Sequence, residues 1–262
     1  MATNPTVLIT GASTGIGATY ADRFARRGHA LVLVARDKSR MEALAAQLHE
    51  QTGVTVDVLQ ADLTNHNDPA KVETRLREDR QIGILVNNAG ASLGRTFVEQ
   101  ATEDIGRLVA LNVTAVARLA SAVSPRFAES GDGAIINISS VVGLAPELGI
   151  SVYGATKAFV TYLSQALSLE LASKGVYVQA VLPAATRTEV WERAGLDANA
   201  LPPMMEVGEL VDAALVGFDR REPVTIPPLH DAGQWHTYQL ARQAMLPGFA
   251  QIQAAERYRT TD

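Results

Sequence analysis

Two residues four positions apart, Tyr153 and Lys157, carry the most pointed chemistry in the 262-residue chain. On a helix they share a face. A phenol has an ordinary pKa near 10, too high for easy proton exchange at neutral pH. A lysine ammonium beside it favours the phenolate and pulls that value down. Such a pair can give a proton to a carbonyl oxygen and take it back. Ser140 stands thirteen residues before Tyr153, just past the apolar run Ala134–Ile138. Its hydroxyl can donate to an oxygen that gains negative charge. Asn112 adds an amide inside a long helical stretch. Each residue also has an ordinary alternative: a surface pair, a loop cap, or a local backbone bond.

A second group of residues can hold phosphate. The segment Thr10-Gly11-Ala12-Ser13-Thr14-Gly15-Ile16-Gly17 follows a first apolar run, Val7–Thr10, and opens a helical pattern. A dinucleotide pyrophosphate needs close backbone approach and free N–H donors at a helix N-terminus. Gly11 permits the tight turn, Gly15 the approach to phosphate, and Gly17 the close seating of the helix on the sheet. The spacing is G-x-x-x-G-x-G, so the turn points to a nicotinamide dinucleotide without the commonest fingerprint. The second apolar run ends Val34-Ala35-Arg36. Ala35 offers no carboxylate to a ribose, whereas the Arg36 fork suits a 2′-phosphate and Ser13 can add a hydroxyl. The expected cofactor is NADP(H). Asp37 would serve the ribose instead if the strand ran further.

The elements that must position these residues alternate along the chain. Apolar runs at Val7–Thr10, Leu31–Ala35, Val54–Leu59, Ile84–Asn87, Ala134–Ile138 and Val176–Leu182 lack period-two alternation, as strands covered on both faces do. A seventh, Val224–Ile226, is closed by Pro227 and Pro228. Helical patterns lie at Gly15–Arg27, Ser39–Gln51, Thr102–Glu129, Ser151–Lys174 and Gly208–Phe218. Segments 90–100 and 184–206 read as irregular. The expectation is an α/β fold of Rossmann type: a doubly wound, seven-stranded, mostly parallel sheet with helices on both faces. All 262 residues form one catalytic domain in this reading, with a substrate loop at about 184–206 and a helical tail at about 229–262.

Composition narrows the class. The apolar share is 47% and net charge is −5, with no basic stripe, so nucleic acid is not an expected partner. No apolar run of about 18 residues suggests a membrane span. The chain has no cysteine, which excludes disulfides, thiolate metal sites and cysteine nucleophiles. The five histidines are scattered, and no metal is expected. Met1–Pro5 lacks a secretory pattern, so a cytoplasmic location is the default.

Five pieces in this order resemble the short-chain dehydrogenase/reductase family: Thr10-Gly11-x-x-x-Gly15-Ile16-Gly17, Asn87-Asn88-Ala89-Gly90, Leu111-Asn112-Val113, Ser139-Ser140 and Tyr153-x-x-x-Lys157. They span roughly residues 6 to 188. The resemblance implies that Lys157 also holds the nicotinamide ribose and that Asn112 holds a water linking Lys157 to solvent. It implies that Asp62, assisted by Leu63, meets the adenine, that Asn88, Ala89 and Gly90 line the adenosine ribose, and that Thr188 meets the carboxamide or the phosphates. The family's Pro-Gly after the sixth strand is here Pro183-Ala184. If position 184 needs a positive φ, alanine costs on the order of 1 kcal/mol. Otherwise it stiffens the loop. The reading expects weaker cofactor binding than in an Ala184→Gly variant.

The implied activity is NADP(H)-dependent carbonyl reduction or alcohol oxidation, with an uncharged ketone or secondary alcohol as substrate. Leu144, Pro146, Leu148, Val190, Trp191, Met204 and Met205 would make an apolar pocket beside Ser140 and Tyr153. The alternatives are a 3-oxoacyl-thioester or hydroxy-acid dehydrogenase, and an NADPH-binding redox sensor without turnover. The resemblance also implies a homodimer or homotetramer through the long helices.

Overall fold

In a computed structural model of the chain, residues 4–65, 67–93, 96–189 and 203–259 are described. They part into two compact units, Met1–Pro227 and Pro228–Asp262. In the first unit, seven strands form one sheet in the order β3-β2-β1-β4-β5-β6-β9. These are β1 (Thr6–Thr10), β2 (Leu31–Ala35), β3 (Val56–Gln60), β4 (Ile82–Asn87), β5 (Ala134–Ile138), β6 (Tyr177–Val181) and β9 (Val224–Thr225). Every pairing is parallel, from Val7 opposite Leu31 to Asn87 opposite Asn137. The order reverses between β1 and β4, the switch point at which such sheets open a ligand crevice.

Alternate side chains build two cores. Val7, Ile9, Leu31 and Leu33 face one layer with Tyr20 and Phe24 of α1 (Gly15–Arg26), Met41 and Leu48 of α2 (Lys38–Thr52), and Val211 and Leu215 of α7 (Val207–Asp219). Leu8, Val32, Leu85 and Ile135 face the other, with Val72 and Leu76 of α3 (Asp68–Glu78) and Leu119, Val123 and Phe127 of α5 (Val116–Ser130). The near-continuous apolar runs are what a sheet covered on both faces requires.

Four local differences from the sequence reading matter. Helix α3 was not expected, because only Pro69, Val72, Glu73 and Leu76 of its eleven residues are buried and the rest is polar. The stretch 102–129 is not one regular helix. It runs as α4 (Thr102–Val109), a π turn (Ala110–Ala115) and α5. Together they form the one helical stretch among the described residues long and apolar enough to cross a membrane by length and composition. The segment read as irregular at 184–206 begins and ends in a short parallel ladder, β7 (Thr186–Arg187) with β8 (Met205–Glu206). Arg187 Nε donates to Glu206 Oε1 at 3.0 Å across it. Helix α6 (Ser151–Leu171) stops three residues short of the expected end, and a 3-10 turn leads to Gly175 at φ +76°.

The second unit holds α8 (Ala232–Ala244), capped by Asp231, whose carboxylate accepts from Gly233 N at 2.8 Å. Trp235 and Tyr238 stack on it with ring centroids 5.3 Å apart.

Candidate active site

The glycine turn forms an anion seat. Gly11 and Gly15 have φ of +65° and +56°, which favour residues without a Cβ. A Cβ on Gly11 would lie 2.8 Å from Asn88 Nδ2, and one on Gly17 would run into the Gly11 carbonyl. Helix α1 then opens with no acidic residue in its first turn and no side-chain cap from Thr14. Its positive end is thus open to an anion. Ser13 and Ile16 flank the turn half-buried. Thr188 overhangs it, its methyl 3.3 Å from where a Cβ on Gly15 would stand. These residues fit a dinucleotide pyrophosphate.

Around the adenosine end the structure assigns the local polar groups. Ala35 ends β2 half-buried, and Arg36 is exposed with no ion pair among the described residues. Asp37 is the N-cap of α2: it accepts from Arg40 N at 3.0 Å and from the Ser39 hydroxyl at 2.8 Å. Those bonds hold its carboxyl below the usual range and engage one of its oxygens in the cap. The second strand therefore ends where it was read. Asp62 Oδ1 accepts from Thr64 N at 2.9 Å, and Leu63 is buried. Asn88 was expected to line the ribose. Its Nδ2 donates to Thr10 O at 2.9 Å and Gly11 O at 3.2 Å, bracing the glycine turn. The Thr10 hydroxyl accepts from Asn88 N and Ala89 N, each at 3.0 Å, which sets the course of the chain toward the exposed Gly90.

At the other end the π turn places Asn112 inward, 1% exposed. Such turns are common at functional sites. The amide clasps the Ala91 backbone: Nδ2 donates to Ala91 O at 2.9 Å, and Oδ1 accepts from Ala91 N at 3.0 Å. Nδ2 also donates to Thr156 Oγ1 at 3.1 Å. Asn112, expected to hold a water, has its side-chain amide engaged as a clasp. A Cβ on Gly90 would lie 3.3 Å from Asn112 Oδ1 and 3.4 Å from Lys157 Nζ, so both line the same spot.

Tyr153 and Lys157 lie on α6 (Ser151–Leu171) as the spacing requires, with Lys157 Nζ 5.6 Å from the Tyr153 ring centre. Nζ donates to Ile138 O at 2.9 Å, tying the helix to the end of β5. Burial pushes the Lys157 ammonium down to about 8 and the Tyr153 phenol up to about 12. Where the spacing pointed to a phenol lowered by lysine, desolvation raises it, and a hydrogen bond with Ser140 works against that rise. Ser140 follows β5, its hydroxyl donating to Pro183 O at 3.1 Å. Gly143 lets the following turn lie on α6: a Cβ there would be 2.7 Å from the backbone of Lys157 and Ala158. Pro183 O also accepts from Val141 N at 2.9 Å. Ala184 has no positive φ, so alanine carries no left-handed strain there.

Leu144 is half-buried, while Pro146 and Leu148 are exposed, so the expected apolar lining is only partly enclosed. Val190 and Trp191 lie outside the described residues. Sequence reasoning assigned no role to Thr156, Ser139 or Thr161. Ser139 Oγ donates to Lys157 O at 2.7 Å and meets Thr161 Oγ1 at 2.7 Å. The usable signal was a run of hydroxyl residues on the buried face of an otherwise apolar helix.

Fold and site together define a dinucleotide-binding α/β protein with an acid–base centre beyond the carboxyl ends of the same central strands. The chain belongs to the short chain dehydrogenase family, whose model matches residues 5–199. It is 67% identical to a short-chain dehydrogenase from Sphingobium yanoikuyae solved in complex with NADPH, with a TM-score of 0.96 over 97% of this chain and 100% of that one. It is 61% identical to the bulky-bulky ketone specific alcohol dehydrogenase from Comamonas testosteroni, with a TM-score of 0.93 over 99% and 100%. A very-long-chain 3-oxoacyl-CoA reductase from Anas platyrhynchos is 37% identical over 183 residues, which is 67% of this chain and 58% of that protein. The chain therefore spans somewhat more than half the length of that relative.

Proposed function

We propose that the protein is an NADP(H)-dependent oxidoreductase that interconverts a ketone and a secondary alcohol. The observation that carries this reading is the meeting of Ser140, Tyr153 and Lys157 beyond the carboxyl ends of the central strands, where the glycine turn also lies. The Sphingobium relative holds NADPH and the Comamonas relative takes bulky ketones, which supports the same cofactor and substrate class here. Gly11, Ser13, Gly15, Ile16 and Gly17 would hold the pyrophosphate, and Arg36 the 2′-phosphate. Asp62 and Leu63 would meet the adenine, and Asn88, Ala89 and Gly90 the adenosine ribose. Tyr153 and Lys157 would hold the nicotinamide ribose, with Pro183, Ala184 and Thr188 beside the ring. When bound, the cofactor supplies the hydride.

The residues supply the proton. A phenol pushed up to about 12 stays protonated at neutral pH, so Tyr153 is loaded to donate in reduction. Ser140 turns its hydroxyl from Pro183 O to the substrate oxygen as charge develops there. The Lys157 cation supports the phenolate left behind. Because Lys157 sits at about 8, that support fades as pH rises through 8, and ketone reduction slows on the alkaline side.

The test is NADPH absorbance with a panel of aryl and alkyl ketones and one 3-oxoacyl thioester. Ketone-dependent oxidation is expected, with Tyr153→Phe slower by roughly 10²- to 10⁴-fold and an unchanged melting temperature. A Tyr153→Phe protein as fast as the parent sinks the reading. Turnover of the thioester alone favours the second reading, toward which the 3-oxoacyl-CoA reductase relative points. NADPH binding without any turnover favours a redox sensor. The reading also has the chain working in the cytoplasm. Assembly as a homodimer or homotetramer is supported by Phe159, Tyr162 and Leu169, which stand exposed on α6.

A further inference from the structure

Two segments meet at one buried hydroxyl, and a third is tied to it through Asn112. Thr156 is 3% exposed and stands between the π turn and the first turn of α6. Its Oγ1 donates to Tyr153 O at 2.7 Å and accepts from Asn112 Nδ2 at 3.1 Å. A threonine hydroxyl has one hydrogen to give, and that hydrogen goes to the residue bearing the phenol. Asn112 has two N–H groups and one carbonyl oxygen, and all three are in use: on Ala91 O, on Ala91 N and on Thr156. The result is one continuous chain of bonds from the backbone at Ala91 to the backbone at Tyr153.

We propose that Thr156 is a positioning residue for the reaction: its hydroxyl locks the Asn112 clasp to the turn that carries Tyr153. Gly90, which borders both Asn112 Oδ1 and Lys157 Nζ, and the phenol are thereby held at a fixed separation. The proposal rests on the ketone-reductase reading for its kinetics but not for its geometry. Valine keeps the shape of threonine but offers no hydrogen bond, so Thr156→Val leaves an Asn112 donor without a partner in a buried place. The amide must then turn, and Ala91 and the first turn of α6 lose their common tie. Serine restores both bonds.

The experiment compares the parent with Thr156→Val, Thr156→Ala and Thr156→Ser. Each is measured for NADPH affinity, for kcat and KM with a ketone across pH, and for phenol titration by ultraviolet difference against its own Tyr153→Phe version. In Thr156→Val, kcat is expected to fall by roughly 10- to 100-fold, as small misplacements of reacting groups do. KM and the NADPH dissociation constant should stay within about threefold of the parent. The Tyr153 titration should move toward its ordinary value by roughly half a unit or more as the phenol leaves its enclosed place, and the alkaline limb of kcat should shift. Thr156→Ser should bring all of these back. Parental kcat and parental phenol titration in Thr156→Val overturn the proposal. So does a fall in kcat with an unmoved titration and pH profile, which is the mark of a merely structural role. If Thr156→Val does not fold, the alanine and serine variants decide: equal behaviour of the two overturns the proposal, and loss in alanine alone supports it. A parent that turns over no ketone sinks the functional reading, while the phenol titration still judges Thr156.

Discussion

The two ends of the crevice are built in opposite ways. At the Tyr153 end, Asn112, Thr156, Lys157 and Ser140 are all buried, and each is hydrogen-bonded to another element. At the β2 end, Arg36 and Arg40 are exposed. Arg40 meets Glu189 at 2.8 Å across the crevice, but both side chains stand nearly half in solvent. A buried hydrogen-bonded network is rigid. Exposed charges contribute little individually and can be rearranged. Proton transfer depends on fractions of an ångström, so the chemistry sits in the rigid end. Recognition of a 2′-phosphate depends mainly on having a cation in reach, so the choice of cofactor can sit in the soft end.

The largest effect that would break this contrast comes from Lys157→Met. At the rigid end, function and stability should pull apart. The folded protein gives up the Lys157 proton at about 8, the unfolded chain at the ordinary 10.5. Between those values the unfolded state binds more protons, so stability rises with pH; the gain is complete above 10.5 and absent below 8. Near pH 7 the native state therefore carries a buried cation, at a cost of up to about 3 kcal/mol. Methionine removes the cation and gives back part of that, less the hydrogen bond to Ile138 O. Ketone reduction should fall by roughly 10²-fold or more, while the melting temperature at pH 7 rises above the parent's. The advantage should shrink as pH climbs from about 8 to 10.5. A lower melting temperature for Lys157→Met at pH 7 would show that the lysine is structural.

What was legible in the sequence divides along the same line. The sheet was readable because strands such as Leu31–Ala35 and Ala134–Ile138 are buried on both faces and need continuous apolar residues. The glycine turn was readable because Gly11 and Gly15 need positive φ and Gly17 needs room. The π turn was not readable. Ala110–Ala115 has the composition of any helix, and its departure is made by tertiary packing around Asn112. The burial of the pair was not readable for a related reason: spacing shows that a lysine is near Tyr153, but not that both groups are desolvated. Helix α3 escaped because polar residues dominate an element that packs by only a few side chains.

The soft end gives an intermediate effect. Arg36→Ala removes a cation with no ion pair among the described residues, so it should leave the fold undisturbed. NADPH affinity should fall by roughly tenfold or more, in keeping with the loss of one charge-assisted contact to phosphate. NADH affinity should hardly change. The ratio of the two dissociation constants, measured at fixed ionic strength, reads this directly. An equal loss for both cofactors would mean that Arg36 supports the site generally, and the division between a rigid and a soft end would then fail.

The smallest effect sharpens where the rigid end begins. Ala184 follows Pro183, whose carbonyl accepts from the Ser140 hydroxyl and from Val141 N. The Ala184 carbonyl accepts from the Thr186 hydroxyl at 3.0 Å. Without a positive φ at this position, glycine would relieve no strain and would only free the unfolded chain. Ala184→Gly should therefore lower stability by about 0.4 to 1 kcal/mol, a few degrees of melting temperature at most. NADPH affinity should be equal to or slightly weaker than the parent's. The opposite outcome, tighter NADPH binding in Ala184→Gly, would place the limit on cofactor approach in the alanine methyl rather than in the backbone. It would also mean that the bonds around Pro183 hold the loop less firmly than those around Asn112 hold Tyr153.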